Sequence, residues 1–173
     1  GWEWHVADKT MTWTEETFRL HGLAPEDQSN PSAALLNQSL ACYRPQDRPT
    51  IEAAFRRCIE EGGPYDLQFP FRGVDGRERW IRTMAEPVFE DGQVLLVRGT
   101  IMDITREMRL DRLLAARLRL ANLSRCCSLD DLLAHVLDEG EMLTGSAIGF
   151  FHFVDEDQQR LTLHAWSQST TTR

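Results

Sequence analysis

Two Asp-Gly dipeptides, Asp75-Gly76 and Asp91-Gly92, separate three stretches in which apolar and polar residues alternate. The stretches are residues 65–72, 79–89 and 94–104. Asp-Gly between alternating runs is a strong hairpin signal, because both turn positions can adopt positive φ. The pattern therefore predicts three consecutive antiparallel strands. Pro70 has no N–H to donate to a neighbouring strand, so we expect the strand that contains it to form an edge of the sheet.

The residues before this meander carry two further strand signals and two helix signals. Residues 2–6 alternate in polarity, and residues 11–13 indicate a second short strand. Thr14 is an N-cap candidate for a helix that Gly22 ends. Asp47 precedes a longer amphipathic helix, whose apolar face consists of Ile51, Ala54, Phe55, Cys58 and Ile59. The expected fold is α+β, with a five-stranded antiparallel sheet and flanking helices.

The residues that leave the last strand lead directly into an Arg- and Leu-rich stretch with helical periodicity. Thr105 is predicted to cap this helix, and Asp103 to hold the joint through a salt bridge or a hydrogen bond. With Ile104 they form a candidate signal relay. A strand end and a helix cap without any switching role explain the same residues equally well.

Within this predicted connecting helix, residues 106–127, two apolar stripes run side by side. The first has alternating steps of three and four residues, typical of a coiled-coil seam: Leu113, Ala116, Leu120, Leu123 and Cys127. The second consists of Leu110, Leu114, Leu118 and Ala121. Two overlapping stripes suit a helix that changes register, so we expect this helix to form a seam in a homodimer and to transmit a signal.

The last third of the chain predicts one helix and one hairpin. Ser128 with Asp131 resembles a capping box, and Gly145 ends the helix that follows. Two apolar strands are predicted at residues 147–154 and 161–166. So few elements cannot cover a sheet this apolar, and residues 128–173 are therefore interpreted as part of a larger domain.

Composition and spacing argue against several functions. The net charge of −8 disfavours nucleic-acid binding, which requires a basic surface. No apolar run approaches the roughly 18–20 residues of a membrane span. The four cysteines include no CxxC pair, the five histidines are dispersed, and no Gly-rich phosphate loop is present. We expect a cytoplasmic segment with no membrane span, metal site or enzyme activity of its own.

Six short stretches together resemble a PAS domain of the type that ends in a PAC-like meander. They are Trp2-Glu3-Trp4, residues 11–16, His21-Gly22-Leu23, residues 43–48, residues 76–82 and residues 99–105. His5 and Arg44 depart from that pattern, which more often has Asp and His there. Residues 128–154 resemble the beginning of a GAF domain. The resemblance implies a PAS domain at residues 1–105, a signalling helix at 106–127 and a truncated GAF-like segment at 128–173.

A PAS-like fold implies a cavity between the sheet and the helices. Alternation places small and apolar residues on the inner sheet face, and these form the candidate pocket with three aromatic residues: Phe18, Phe55, Phe69, Ile81, Thr83, Val97 and Gly99. Small residues there, such as Thr83 and Gly99, leave room either for a small-molecule ligand or for a filled core. No polar groups are expected to converge, which favours the filled core. His21 can ligate a haem or cap its helix, and the cap is favoured.

Trp80 and Met84 are expected on the outer sheet face beside Val94 and Leu96, where a helix or a second subunit must cover them. The resemblance implies a sensory or regulatory module that relays its state to downstream GAF and output domains of the same chain, in a bacterial sensor protein such as a histidine kinase. Alternatives are a haem- or flavin-binding redox or light sensor, or the PAS–GAF region of a cyclic-di-GMP synthase or hydrolase. No cofactor is assigned.

Overall fold

The computed structural model describes residues 1–25 and 31–167. The chain divides into two compact units, Gly1–Arg106 and a second unit that begins at Glu107. Residues 168–173, the end of the predicted GAF-like segment, lie outside the described residues.

In residues 1–25 and 31–106, the first unit contains five strands and three helices and provides the first two residues of a fourth helix. In chain order they are β1 (Trp2–His5), β2 (Thr10–Trp13), α1 (Glu15–His21), α2 (Ala34–Ala41), α3 (Arg48–Glu60), β3 (Tyr65–Arg72), β4 (Glu78–Glu90), β5 (Gln93–Asp103) and the beginning of α4 (Thr105–Leu123). The strands form one antiparallel sheet in the order β2-β1-β5-β4-β3. The predicted α+β class and five-stranded sheet are confirmed, and Pro70 lies on the edge strand β3.

The two Asp-Gly turns reverse the chain as the sequence predicts. Asp91 and Gly92 both have positive φ, at 48° and 78°, and connect β4 to β5. In the turn between β3 and β4 only Gly76 has a positive φ, at 76°. Gly22 ends α1 in the left-handed conformation. It lies beside the turn between β3 and β4, where a Cβ on residue 22 would come within 2.7 Å of the Asp75 backbone nitrogen.

The inner face of the sheet is the core of the first unit. Ile81, Thr83 and Ala85 of β4 alternate with less buried neighbours, and Val97 of β5 is fully buried beside them. The expectation that Val94 lies on the outer face is wrong. A bulge between Val88 and Phe89 changes the alternation at this end of the sheet, and Val94 packs against the core.

The second unit contains the rest of α4, α5 (Leu129–Thr144) and the antiparallel hairpin of β6 (Phe150–Val154) and β7 (Leu161–Trp166). The Ser128 hydroxyl accepts a hydrogen bond from the Asp131 backbone N–H at 3.2 Å, so the predicted capping interaction is present. Helix α4 ends at Leu123, before the predicted end at Cys127. The next residues form turns, in which the Cys126 and Cys127 N–H groups both donate to the Leu123 carbonyl.

Within residues 1–25 and 31–167, no helix is both long and apolar enough to cross a membrane. The same residues contain no cluster of three or more His, Cys, Asp or Glu side chains arranged to hold a metal ion.

Candidate functional site

A small cavity lies in the first unit between the inner sheet face and the helices. Its volume is about 30 Å³. A water molecule requires roughly 10–15 Å³ measured in this way, so the cavity has room for about two waters. Its apolar walls include Trp2, Trp13, Leu36, Leu40 and Phe55, and its polar lining consists of Thr17, His21, Ser39, Tyr43, Tyr65 and Thr83.

Two hydrogen bonds involve the His21 ring in this polar lining. His21 Nδ1 lies 2.7 Å from the Thr17 carbonyl oxygen, and His21 Nε2 lies 3.1 Å from the Ser39 hydroxyl. Burial raises the pKa of both Tyr43 and Tyr65, and interactions with the Thr83 side chain oppose the rise. The expectation that no polar groups converge on the core is therefore wrong. Alternation along one strand cannot reveal it, because the polar side chains come from α1, α2, the loop after α2, β3 and β4.

His21 faces the core and does not serve as a helix cap. Its ring stacks on Trp13, with centroids 4.1 Å apart, and it is 1% exposed. Burial lowers the pKa of His21 to about 4, opposed by the hydrogen bond to Thr17 and assisted by the nearby charge of Arg79. The imidazole is therefore neutral near pH 7. Gly22 has the capping role that the sequence suggested for His21.

Of the seven predicted pocket residues, only Phe55 and Thr83 line the cavity. Phe18, Phe69, Ile81 and Val97 are buried in the surrounding core. Of the two alternatives that the sequence left open at Gly99, room for a ligand or a filled core, the structure has the filled core. A Cβ at that position would lie 2.1 Å from Cζ2 of Trp2, so the indole already occupies the space above it.

Neither a haem nor a flavin fits this cavity. Both are far larger than a 30 Å³ space that accommodates about two waters. His21, the side chain that the sequence offered as a haem ligand, has both ring nitrogens engaged in hydrogen bonds.

The exit from β5 into α4 is held by a compact set of hydrogen bonds. The Ile104 N–H donates to the Trp80 carbonyl at 2.8 Å, and the Trp80 N–H donates to the Thr105 hydroxyl at 2.9 Å. The Thr105 N–H and hydroxyl both donate to Asp103 Oδ1, at 2.9 and 2.5 Å. The predicted relay residues thus meet, with one correction. The Asp103 carboxylate accepts the first helical N–H, whereas the Thr105 hydroxyl connects the helix to β4.

Arg79 extends this exit network toward the end of α1. Its guanidinium donates to Asp75, with an Nη2–Oδ2 distance of 2.9 Å, and its Nε lies 3.8 Å from Asp103 Oδ2. The Arg79 side chain is only 12% exposed. The hydrogen bond from Arg79 lowers the pKa of Asp75 to about 2. The adjacent Val74 N–H donates to the His21 carbonyl at 2.8 Å, so a continuous set of contacts connects the cavity wall to the first turn of α4.

The two surfaces predicted for dimerisation have different exposures. On the outer sheet face, Trp80 and Met84 are half-buried. On α4, Ala116 of the predicted seam is 1% exposed in the single chain, so it is not available to a partner in this conformation. Leu120 and Leu123 are half-buried. The exposed apolar residues are Leu113 and three members of the other stripe, Leu110, Leu114 and Leu118, at 43–64% exposure.

An antiparallel sheet in the order β2-β1-β5-β4-β3, with helices over one face and a small polar-lined cavity between them, defines the α+β architecture of the first unit. The family model for the PAS fold matches residues 10–101, which is more than half of the chain. The chain therefore belongs to the PAS fold family.

Two curated relatives match most of the chain. A probable diguanylate cyclase of Escherichia coli, DgcE, is 28% identical over 114 residues, which are 65% of this chain and 10% of that protein. The sensor protein FixL of Bradyrhizobium diazoefficiens is 26% identical over 117 residues, which are 67% of this chain and 22% of that protein. The chain thus spans less than a quarter of the length of either relative.

Solved structures share the fold. A sensory box histidine kinase/response regulator of Burkholderia thailandensis superposes with a TM-score of 0.55 at 23% identity, covering 70% of this chain and 89% of that one. The N-terminal domain of a Marinobacter aquaeolei diguanylate cyclase with a PAS/PAC sensor has a TM-score of 0.53 at 20% identity, covering 62% and 95%. At these identities the likeness concerns the fold alone.

Proposed function

We propose that residues 1–105 sense a signal in their core and relay it through α4 to output regions of the same protein. The observation that carries the proposal is the exit network, in which Trp80, Asp103 and Thr105 join β4, β5 and the first turn of α4. The matched proteins are named as a sensor protein, a sensor kinase and diguanylate cyclases, which supports a role in signal transduction.

The relay works because the first turn of α4 depends on two strands at once. Its Thr105 hydroxyl accepts from β4, and its Thr105 N–H donates to a carboxylate of β5. A displacement of β4 along β5 cannot preserve both bonds, so α4 must rotate, shift or lose its first turn. Arg79 connects the same exit to the turn beside His21, and a change in the cavity wall thus has a path to α4.

A double-mutant cycle followed by amide hydrogen exchange tests this relay. Leu36→Ala enlarges the cavity, and Asp103→Ala removes the carboxylate at the exit. We expect Leu36→Ala to alter exchange of amides 105–109 in the wild-type background and to have little effect on them when Asp103 is Ala. Glu52→Ala, a charge removal on the exposed face of α3, is the control and should leave the response to Leu36→Ala unchanged. If Leu36→Ala alters the exchange of amides 105–109 equally in the wild-type and Asp103→Ala backgrounds, the relay is contradicted.

The parent protein is a bacterial multidomain sensor, with a histidine kinase as the first candidate for its output and a cyclic-di-GMP enzyme as the second. Residues 128–173 are the first part of a GAF-like domain in this proposal. Both strands of the β6–β7 hairpin expose large apolar side chains, including Phe150 at 53% and Leu161 at 69%, and these require cover. Limited proteolysis of the full-length protein tests the assignment. A resistant fragment that ends within residues 145–167 would contradict it.

The chain also forms a homodimer in this proposal, through α4 and the outer sheet face. The support is the exposed stripe of Leu110, Leu114 and Leu118, whose four-residue steps place the three side chains on one face of the helix. The proposed dimer contact on α4 is therefore this exposed stripe and not the predicted seam, because Ala116 of that seam is buried.

A further inference from the structure

Two of the four cysteines, Cys126 and Cys127, are adjacent in the chain, and both reach the surface of the second unit. We propose that this pair is a binding site for a trivalent arsenical, whose As(III) atom bridges the two sulfurs. The site lies outside the sensory residues 1–105 and does not depend on the proposed relay.

The two cysteines lie in the turn that follows α4. Cys126 is exposed and Cys127 is half-buried. Their backbone N–H groups donate to the same acceptor, the Leu123 carbonyl, at 3.0 Å each. The next helix begins only at Leu129. The shared acceptor holds both residues in one tight turn, so their side chains leave the backbone from neighbouring points of the same surface.

The exposed thiol of Cys126 is held only weakly by the protein. Its Sγ lies 3.5 Å from the Leu123 carbonyl oxygen and 3.7 Å from the Asn122 carbonyl oxygen. A thiol is a weak hydrogen-bond donor, so these contacts are lost at little cost when the sulfur binds another atom. Cys42 and Cys58, by contrast, are buried at 6% and 0% exposure. A reagent in solution therefore reaches the adjacent pair first.

Adjacency disfavours a direct disulfide between these two cysteines. Neighbouring Cα atoms across a trans peptide bond are about 3.8 Å apart, whereas the Cα atoms of ordinary disulfides are about 4.4–6.8 Å apart. A disulfide here would consequently be strained and easily reduced. An atom placed between the two sulfurs relaxes this constraint, because the sulfurs no longer have to come within bonding distance of each other.

The number of available donors selects the bridging atom. Structural zinc takes four protein ligands and catalytic zinc takes three. Within residues 1–25 and 31–167, no cluster of three or more His, Cys, Asp or Glu side chains is arranged to hold a metal ion. The As(III) atom of a monosubstituted arsenical already has one bond to carbon, so two thiolates complete its coordination. Thiolates are soft ligands that select soft partners, and As(III) is one.

The binding reaction requires no oxidant. With phenylarsine oxide, two As–S bonds form, arsenic loses its oxygen, and the two thiol protons leave with that oxygen as water. Arsenic and sulfur keep their oxidation states. The second As–S bond forms within the same molecule, and such intramolecular closure strengthens binding by a factor of about 10²–10⁴ over a single contact.

Phenylarsine oxide is the probe, and mass spectrometry of the intact 173-residue chain measures its binding. We expect one phenylarsenic group per chain, with the loss of two thiol protons. Peptide mapping should place this group on the peptide that contains Cys126 and Cys127. The adduct should survive an excess of glutathione, which has one thiol, and should be removed by dithiothreitol, which has two.

Cys126→Ser and Cys127→Ser should each weaken binding by about 100-fold or more, because either variant leaves a single thiol in the turn. Ser124→Ala, at an exposed position of the same turn, is the matched control and should bind as tightly as the wild type. None of these substitutions changes residues 1–105, so the outcome is independent of the relay.

Four results would each overturn the assignment. They are an arsenic adduct on Cys42 or Cys58, release of the adduct by glutathione, wild-type affinity in either serine variant, and a Cys126–Cys127 disulfide that resists reduction by glutathione.

Discussion

The backbone N–H of Trp80 donates to the Thr105 hydroxyl across 2.9 Å, although 25 residues separate the two in sequence. This bond connects an interior strand of the sheet to the first residue of the helix that leaves it. The neighbouring Ile104 N–H donates back to the Trp80 carbonyl, so both backbone polar groups of Trp80 are used at the exit. Specific hydrogen bonds therefore fix the junction between β5 and α4, and a substitution at Thr105 can remove one of them.

Thr105→Val should destabilise the first unit by about 1 kcal/mol, because the half-buried Trp80 N–H loses its acceptor. The Trp80 amide should also exchange faster with solvent. Urea unfolding and hydrogen exchange measure the two effects. Thr100→Val is the control and should change the stability by less than about 0.5 kcal/mol, as expected for a surface site. Unchanged exchange at Trp80 would contradict a structural role for the Thr105 hydroxyl.

Gly99→Ala should destabilise the first unit by about 3 kcal/mol, at the upper end of overpacking costs. The new methyl would lie 2.1 Å from Trp2 Cζ2 and 2.8 Å from the Met84 carbonyl oxygen. Urea unfolding measures the loss. In a Trp2→Leu background, where the indole is absent, Gly99→Ala should cost less. An equal cost in both backgrounds would show that Trp2 does not account for the requirement for glycine.

The buried His21 should make the first unit less stable as the pH falls from about 6.5 to 4. The folded-state pKa is lowered to about 4, mainly by burial, from an ordinary value of 6.5. The unfolded chain therefore binds a proton in this range while the folded chain does not, and unfolding becomes more favourable by about 3 kcal/mol at pH 4. Above pH 6.5 both states are neutral, so this contribution is fully present there.

Urea unfolding at pH 7, 5.5 and 4.5, with His21→Gln as the comparison, tests the prediction. Between pH 6.5 and 4, the free energy of unfolding of His21→Gln should fall much less than that of the wild type. The pKa of Asp75 lies near 2, so its own titration affects stability mainly below this window. An identical slope in both proteins would exclude His21 as the source.

Arg79→Gln should return the pKa of Asp75 from about 2 toward its ordinary value of 3.8, because the hydrogen bond from Arg79 is the largest cause of the shift. NMR titration of the Asp75 carboxyl carbon measures the change directly. Arg72→Gln, at an exposed position on β3, should leave the pKa of Asp75 where it is. A pKa near 2 in Arg79→Gln would contradict the pairing that connects Asp75 to the exit.

Leu114→Lys should weaken self-association if the exposed stripe of α4 is the dimer surface. Leu114 is 59% exposed on that stripe. Leu129→Lys is a closely matched control, since Leu129 is 60% exposed but belongs to α5. Sedimentation across a range of concentrations should show dissociation only in the first variant. A wild-type monomer at high concentration, or equal effects of the two substitutions, would contradict the dimer surface.

The sheet and its helices follow closely from local patterns, and the cavity does not. Alternation together with Asp75-Gly76 and Asp91-Gly92 predicts the meander, and Pro70 correctly indicates the edge strand. The position of His21 directly before a helix-ending glycine favoured a capping role, and this prediction is wrong. The Ser39 partner of His21 is 18 residues away on another helix, and no local pattern connects them.

Local sequence patterns are enough to predict most helices and strands of this protein, their order and the inward or outward direction of most strand residues. These properties depend on interactions between near neighbours: turn geometry, alternation and helix periodicity. Three-dimensional packing was needed to show that Trp2 fills the space above Gly99, that Trp80 contacts Thr105, and that six polar side chains surround a cavity of about 30 Å³. Such contacts join residues distant in the chain, and their geometry exists only once the sheet has curved and the helices have packed against it.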